Sequence, residues 1–145
     1  MLLAGAAAVT AYGQRHIAGV TGKDLDRAAA KPVLKLDGLS KPVIIESIRL
    51  LKKGREYFVH VRSKDGAEGI ALHNPPRGEY LDKIAGQLIF PFFIGKDARD
   101  LEGLLWDLYR WRDNYKMQGL AFWSPQAWTE FAILDMLGRV ANKPL

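Results

Sequence analysis

The sequence predicts an α+β fold, a three-stranded antiparallel β-meander followed by a bundle of about three α-helices. Two patterns carry this prediction. Residues 43–72 concentrate Val, Ile and aromatic residues at a period of two, broken by turns that contain Gly54 and Gly66. Residues 81–137 instead place apolar residues at helical spacing, with Asp, Ser and Pro where helices should start. No internal repeat is visible.

Residues 43–51 read as the first strand because they are rich in Val and Ile. Lys52-Lys53-Gly54-Arg55 is expected to be a hairpin loop, with Gly54 available for a positive φ. Residues 56–63 alternate: Tyr57, Val59 and Val61 point one way, while Glu56, His60 and Arg62 point the other, with Phe58 the apolar exception among them. Lys64-Asp65-Gly66 makes the second turn, and residues 67–72 form a shorter third strand. One face of this sheet should be covered.

His73-Asn74-Pro75-Pro76-Arg77-Gly78 reads as an irregular loop, because two adjacent prolines lack amide donors and fix the backbone. A helix should follow on the stripe Leu81, Ile84, Ala85 and Leu88, ended by Pro91. Asp97 is placed to N-cap the next helix, whose stripe is Leu101, Leu104, Leu105 and Leu108. Ser124 as N-cap and Pro125 at the first helical position start a third helix. Its expected buried side is Trp128, Phe131, Ala132, Leu134 and Leu137. Asn142 can take the left-handed C-cap conformation, and Pro144 stops continuation.

A chain of 145 residues is about one domain. Its net charge of +5 is unevenly spread. Residues 1–41 hold six Lys/Arg against three Asp, leaving 15 basic and 13 acidic residues for the remainder. A folded part so near balance argues against a nucleic-acid surface. Residues 1–13 are small and apolar, too short to span a bilayer but of the composition of a signal-peptide core without its basic leader. Export is the reading taken for them, with a disordered Ala-rich tail in a cytoplasmic protein as the alternative. Residues 14–41 read as a partly extended linker, although Arg27-Ala28-Ala29-Ala30 could form a short helical turn, and residues 42–145 as the folded domain. The absence of Cys excludes disulfides and thiolate metal sites.

Several chemistries find no footing. The chain has no Gly-rich phosphate loop, no His-x-x-x-His pair, no nucleophile elbow and no Cys-His arrangement. His16, His60 and His73 lie on unrelated segments, and Asp24 and Asp26 read as a solvated pair. The run from Trp106 to Lys116 mixes aromatic and basic residues, but Asp107 and Asp113 interrupt it, and helical spacing scatters Trp106, Tyr109 and Trp111. Packing in a core or at a domain interface is the better account. Phe122, Trp123 and Trp128 are expected to divide between core and interface.

Two segments could bind a ligand. Lys52, Lys53 and Arg55 cluster cations at a hairpin tip, while His73, Asn74 and Arg77 offer polar groups on a proline-stiffened frame. Such groups suit an anion such as a carboxylate, and the plain alternative for each is a solvated turn.

Several pieces occur in a telling order. The two-hairpin start carries Arg62-Ser63-Lys64-Asp65-Gly66 at its second turn, followed by Ile94-Gly95-Lys96-Asp97-Ala98-Arg99. Then come the Leu104-Leu105-Trp106-Asp107-Leu108-Tyr109 helix and the Ala132-Ile133-Leu134-Asp135-Met136-Leu137-Gly138-Arg139 helix with its Lys143-Pro144-Leu145 exit. With these, residues 43–145 resemble the N-terminal capping domain of the mandelate racemase/muconate lactonizing enzyme family, within the enolase superfamily. The resemblance implies a C-terminal barrel directly after the exit, which the 145 residues do not include, so the chain is expected to be the front part of something larger.

What the resemblance implies for the full-length enzyme is abstraction of a proton α to a carboxylate, by a racemase, dehydratase or cycloisomerase acting on an acid sugar or similar small carboxylate. Mg²⁺ would be held by three barrel carboxylates, a barrel Lys or His would act as base, and the assembly would be a homo-oligomer. No catalytic residue and no metal ligand is then expected in this chain, which alone should be inactive. Its loops at residues 52–55 and 73–77 would close over the barrel mouth and govern substrate choice. Many relatives end the third strand in a Gly-Glu-containing segment, whereas this chain reads Gly69-Ile70-Ala71-Leu72-His73-Asn74, which leaves the substrate open. The short first loop suggests a less enclosed pocket. A stand-alone binding module without catalysis is the alternative function.

Overall fold

The computed structural model describes residues 20–144, so the expected signal segment and Leu145 lie outside the described residues. The chain divides into two compact units, Met1–Val33 and Leu34–Leu145.

In the first unit the described element is helix α1, Gly22–Ala29. Its start is a reciprocal capping box. The Asp24 amide donates to Thr21 Oγ1, and the Asp24 carboxylate accepts from the Thr21 amide at 3.0 Å and hydroxyl at 2.6 Å. That box makes helical a stretch read as partly extended. None of the helix's residues is buried.

The second unit holds the sheet, with β1 Ile45–Lys53, β2 Glu56–Ser63 and β3 Glu68–His73 in the antiparallel order β1-β2-β3. The α+β meander is therefore as expected. The first turn is tighter than the expected four-residue loop: Lys52 and Lys53 belong to β1, and Gly54 at φ +61° with Arg55 makes the link. Cross-strand register sorts the side chains. One face carries the rows Ile48–Val61–Gly69, Leu50–Val59–Ala71 and Lys52–Tyr57–His73. The other carries Arg49–His60–Ile70 and Leu51–Phe58–Leu72. The first face is the core side, where Val59 and Val61 are fully buried. His60, expected on the polar side, is nonetheless buried at 7% exposure, with Nε2 3.6 Å from a Glu68 carboxylate oxygen.

After β3 the chain turns directly into helix α2, Pro75–Ile84. The prolines do not prevent this. They occupy the first two helical positions, where an amide has no intrahelical partner to lose. A π turn, Ala85–Ile89, then leads into α3, Phe90–Phe93. Pro91, expected to end the helix, instead sits second in this new α turn, because the π turn re-registers the hydrogen bonds just ahead of it. Ile89 and Phe93 are fully buried.

Asp97 caps the next turn as expected, accepting from the Arg99 amide at 3.1 Å. A 3₁₀ turn, Ala98–Asp100, leads into α4, Leu101–Arg110. Beyond a kinked segment, Trp111–Lys116, in which Arg112 and Asp113 take left-handed φ of 50° and 61°, helix α5 runs from Leu120 to Ala141. It thus starts one turn before the expected Ser124–Pro125 cap. Burying Phe122 completely draws the preceding residues into the helix, and Pro125 sacrifices one backbone bond inside it. Phe131, expected to be buried, is 59% exposed. The buried stripe runs through Phe122, Thr129, Ala132 and Met136, and a 100° step places Phe131 on the opposite side. Asn142 ends the helix in the left-handed region at φ 52°, and the Lys143 amide returns to the Gly138 carbonyl at 2.9 Å.

Helix α5 packs on β3 and β2, and α3 packs on β1. At Gly69 the approach is so close that a Cβ would stand 2.1 Å from the Ala132 carbonyl oxygen and 2.4 Å from the Met136 nitrogen. No other residue type fits between β3 and α5 there. The core also reaches back to Leu39, which is buried and whose carbonyl accepts from Arg99 Nη1 at 3.3 Å.

Candidate functional site

The β1–β2 turn and the start of α2 lie side by side, forming a groove of about 330 Å³ lined by Lys52, Gly54, Arg55, Tyr57, Pro75, Pro76 and Glu79. The two segments singled out in the sequence therefore meet. Lys52 lies on the core-side row of the sheet, where its Nζ stands 4.8 Å from the centre of the Tyr57 ring. Interaction with the Tyr57 side chain, and after it with Glu79, holds the Lys52 ammonium above its ordinary range. Arg55 sits in the turn itself and is exposed.

The remaining candidates divide. Lys53 is the next residue along β1, so strand alternation sends its side chain to the other face, and it does not line the groove. The expected cluster of three cations is thus split by the pleat, because the strand runs through it. Asn74 is exposed; its carbonyl accepts from the Arg77 and Gly78 amides at 3.1 Å each, and its side chain makes no cap bond. Arg77 is half-buried and lies outside the groove lining.

His73 is the last residue of β3 and is only 4% exposed. Its ring stacks on Trp128 at 4.0 Å and on Tyr57 at 5.3 Å between centroids. From the helix side, a Cβ at Gly78 would stand 2.2 Å from His73 Cε1, so α2 rests directly on the imidazole. Nδ1 lies 3.1 Å from the Asn74 carbonyl oxygen. In the tautomer that donates there, Nε2 is left buried without a partner. Burial pushes the His73 pKa down from its ordinary value, against the smaller opposing effect of the Asn74 carbonyl. His73 builds the wall behind the groove through Tyr57.

Two groove residues escaped the sequence reading. Tyr57 was assigned to the core row, where it also lies, and it closes the groove floor while supporting Lys52. Glu79 becomes visible only once the helix starts at Pro75, which puts it one turn along on the groove side. The groove therefore holds two cations and one carboxylate, so it can attract a single anionic group while Glu79 limits a second.

Among the described residues no group of three or more His, Cys, Asp or Glu side chains could hold a metal ion. These side chains do not fit a magnesium site, and no magnesium ligand is assigned in them. No helix among the described residues is long and apolar enough to cross a membrane.

No protein-family model matches the chain, and no curated protein matches it in sequence. Solved structures do share its fold. A putative racemase from Roseobacter denitrificans superposes with a TM-score of 0.58 at 23% identity, over 66% of this chain and 25% of the other. A mandelate racemase/muconate lactonizing protein from Paracoccus denitrificans PD1222, complexed with magnesium, gives 0.58 at 20% identity over 69% and 28%. A second structure described as that protein gives 0.55 at 21% identity over 70% and 28%. The chain thus has the fold found in a part of these proteins and spans about a quarter of their length.

Proposed function

We propose that this chain is the substrate-capping and specificity domain of an enolase-superfamily enzyme and does no chemistry by itself. The observation that carries this reading is the overlap: about two-thirds of the chain matches about a quarter of proteins described as racemase or mandelate racemase/muconate lactonizing proteins. The full-length enzyme would remove a proton α to the carboxylate of an acid sugar or similar small acid, as a racemase, dehydratase or cycloisomerase. That removal demands neutralisation of charge on the carboxylate oxygens. The relative complexed with magnesium supports Mg²⁺ in that role, held by a barrel outside the described residues. The contribution of this chain is to exclude water and present Lys52 and Arg55 toward the substrate's anionic end.

Large apolar side chains stand exposed on several elements, with Leu72 on the outer face of the sheet and Phe131 on the side of α5 turned away from it, so they do not form one face. Trp106, Tyr80, Leu72 and Phe131 are all more than half exposed. Homo-oligomerisation of the full-length protein and export directed by residues 1–13 belong to the same proposal.

The reading is tested by ¹H NMR of D-gluconate in D₂O with Mg²⁺ and the 145-residue chain. No exchange of the α-proton is expected, while in a separate ¹H–¹⁵N titration in H₂O gluconate should move the amide resonances around Lys52 and Arg55, and sedimentation should show self-association at high concentration. Exchange catalysed by the chain alone, or a strictly monomeric protein that ignores gluconate, would overturn it. The second of those results would favour a stand-alone binding module.

A further inference from the structure

We propose that the open edge of β1, beside the groove it forms with α2, the π turn and α3, docks an extended acidic segment of a partner protein as an added strand. The groove measures about 650 Å³, and its lining includes Ile48, Leu50, Phe90, Pro91 and Ile94, with Asp82 on the α2 wall. It shares no lining residue with the Lys52–Arg55 groove, and the proposal does not rest on the capping role.

The sheet order β1-β2-β3 leaves β1 at an edge. Its first residue is already paired on that side: the Ile45 amide donates to the Lys96 carbonyl at 2.9 Å, and the Ile45 carbonyl accepts from the Gly95 amide at 2.8 Å. Beyond Ile45, no backbone group among the described residues pairs with this edge. Which groups point outward follows from the opposite side of the sheet. The Ile70 amide donates to Asp135 at 2.8 Å, away from β2, so His60 opposite it turns its own backbone groups toward Arg49. Alternation then leaves the amides and carbonyls of Ile48, Leu50 and Lys52 facing the open edge. Such a row is a template for one more strand.

Charge decides the occupant. Arg49 and Lys53 stand exposed on the outer face of β1, on either side of the exposed Leu51, and no carboxylate among the described residues pairs with them. Glu46, the acidic residue of the strand, is engaged by Arg62 at 3.4 Å. A second copy paired along this edge would bring two sets of Arg49, Lys52 and Lys53 together, the repulsion by which lysines protect an edge. A segment with carboxylates opposite Arg49 and Lys53 turns that repulsion into attraction and adds it to the backbone bonds. On the core side the groove is apolar apart from Asp82, whose Oδ1 accepts from the Lys83 amide at 2.6 Å. Residues turned that way must therefore be uncharged. The fitting segment carries two carboxylates four residues apart on one face and apolar residues on the other.

The test uses the ¹⁵N-labelled 145-residue chain at low salt and the synthetic peptide acetyl-Gly-Glu-Thr-Val-Val-Glu-Val-Gly-amide. Antiparallel to β1, its glutamates meet Lys53 and Arg49, and its second valine meets Leu50. The amide resonances of Ile48, Leu50 and Lys52 should shift saturably and exchange with solvent more slowly. Lysine in place of both glutamates should weaken binding roughly tenfold or more. N-methylation of the second valine, whose amide faces β1, should abolish saturation, whereas N-methylation of the first valine, whose amide faces away, should be tolerated. Arg49→Glu, at an exposed position, should keep the melting temperature, weaken the acidic peptide several-fold and strengthen the lysine peptide. Equal affinity for the two peptides, indifference to N-methylation opposite Leu50, or shifts confined to residues outside β1 would overturn the proposal. So would concentration-dependent shifts of the same three amides without peptide, which would mean that a second copy covers the edge.

Discussion

Two helix starts in this domain do the same job by opposite means. At Asp97 the turn is held by polar bonds. One carboxylate caps the Arg99 amide, accepts the Val43 amide at 3.0 Å and pairs with the Arg99 guanidinium at 2.7 Å. At Pro75 no side chain caps the helix; the start is fixed by prolines and by α2 resting on His73 and Tyr57 through Gly78. A polar start announces itself through residue type. A packed start does not, because what fixes it is a distance between distant segments.

The largest effect should come from breaking the packed side of this comparison at its tightest point. Gly69→Ala places a methyl group against backbone atoms of Ala132 and Met136, which cannot rotate away. Helix α5 must move off β3, at a cost of about 3 kcal/mol or more. Urea unfolding measures it, and a loss below about 1 kcal/mol would show that the helix is loosely seated. Gly78→Ala should cost less, about 2 kcal/mol. Its clashes are with the rings of His73 and Tyr57, which can shift, and alanine recovers part of the loss through its helix propensity. A stabilised Gly78→Ala variant would contradict the close seating of α2.

The polar side should break more gently. Asp97→Ala removes a cap and leaves the Val43 amide and the Arg99 guanidinium without their carboxylate, for about 2 kcal/mol. Burial alone would raise the Asp97 pKa, but the bonds from the Arg99 side chain and from the Arg99 and Val43 amides outweigh it and hold the carboxyl below its ordinary value. A depressed carboxyl stabilises the fold above its unfolded value near 3.8 and loses that contribution as pH falls through the folded one. Acid unfolding of wild type and Asp97→Ala should therefore converge below about pH 3.8. Curves that stay parallel down to pH 2 would deny the carboxylate its role.

The same contrast explains what could be read from the residues. Strand alternation gave the core row of Tyr57, Val59 and Val61, and residue type gave the Asp97 cap and the left-handed Asn142, because each is a local rule. The errors fell where a distant contact overrules a local preference. Pro75–Pro76 is a different case, in which a local rule was missed: prolines at the first two helical positions start a helix rather than break one. Phe122 draws α5 a turn past its Ser-Pro signal, and Phe131 misleads because its hydrophobicity says nothing about which side of α5 faces the sheet. In the groove, Lys52 and Arg55 were legible as cations near a turn. That Lys53 leaves the groove, and that Tyr57 and Glu79 join it, follows only from strand register and the true helix start.

The smallest effect, and the one that probes the packed corner most selectively, is the pH response of His73. Burial between Trp128 and Tyr57 favours the neutral ring, so its folded pKa lies below the ordinary 6.5. Below about pH 6.5 the unfolded chain binds a proton that the native state refuses. The contribution of His73 is therefore complete above that pH and is lost as pH falls through the folded value. His73→Phe keeps an aromatic ring in the stack, removes the unpartnered Nε2 and has no proton to take up. At pH 8 its stability should lie within about 1 kcal/mol of wild type. Between pH 7 and pH 5 wild type should lose stability relative to the variant, and groups common to both proteins cancel in that difference. A constant difference across the range would mean that the imidazole titrates as freely in the fold as in the unfolded chain, and that α2 is not seated on a neutral ring.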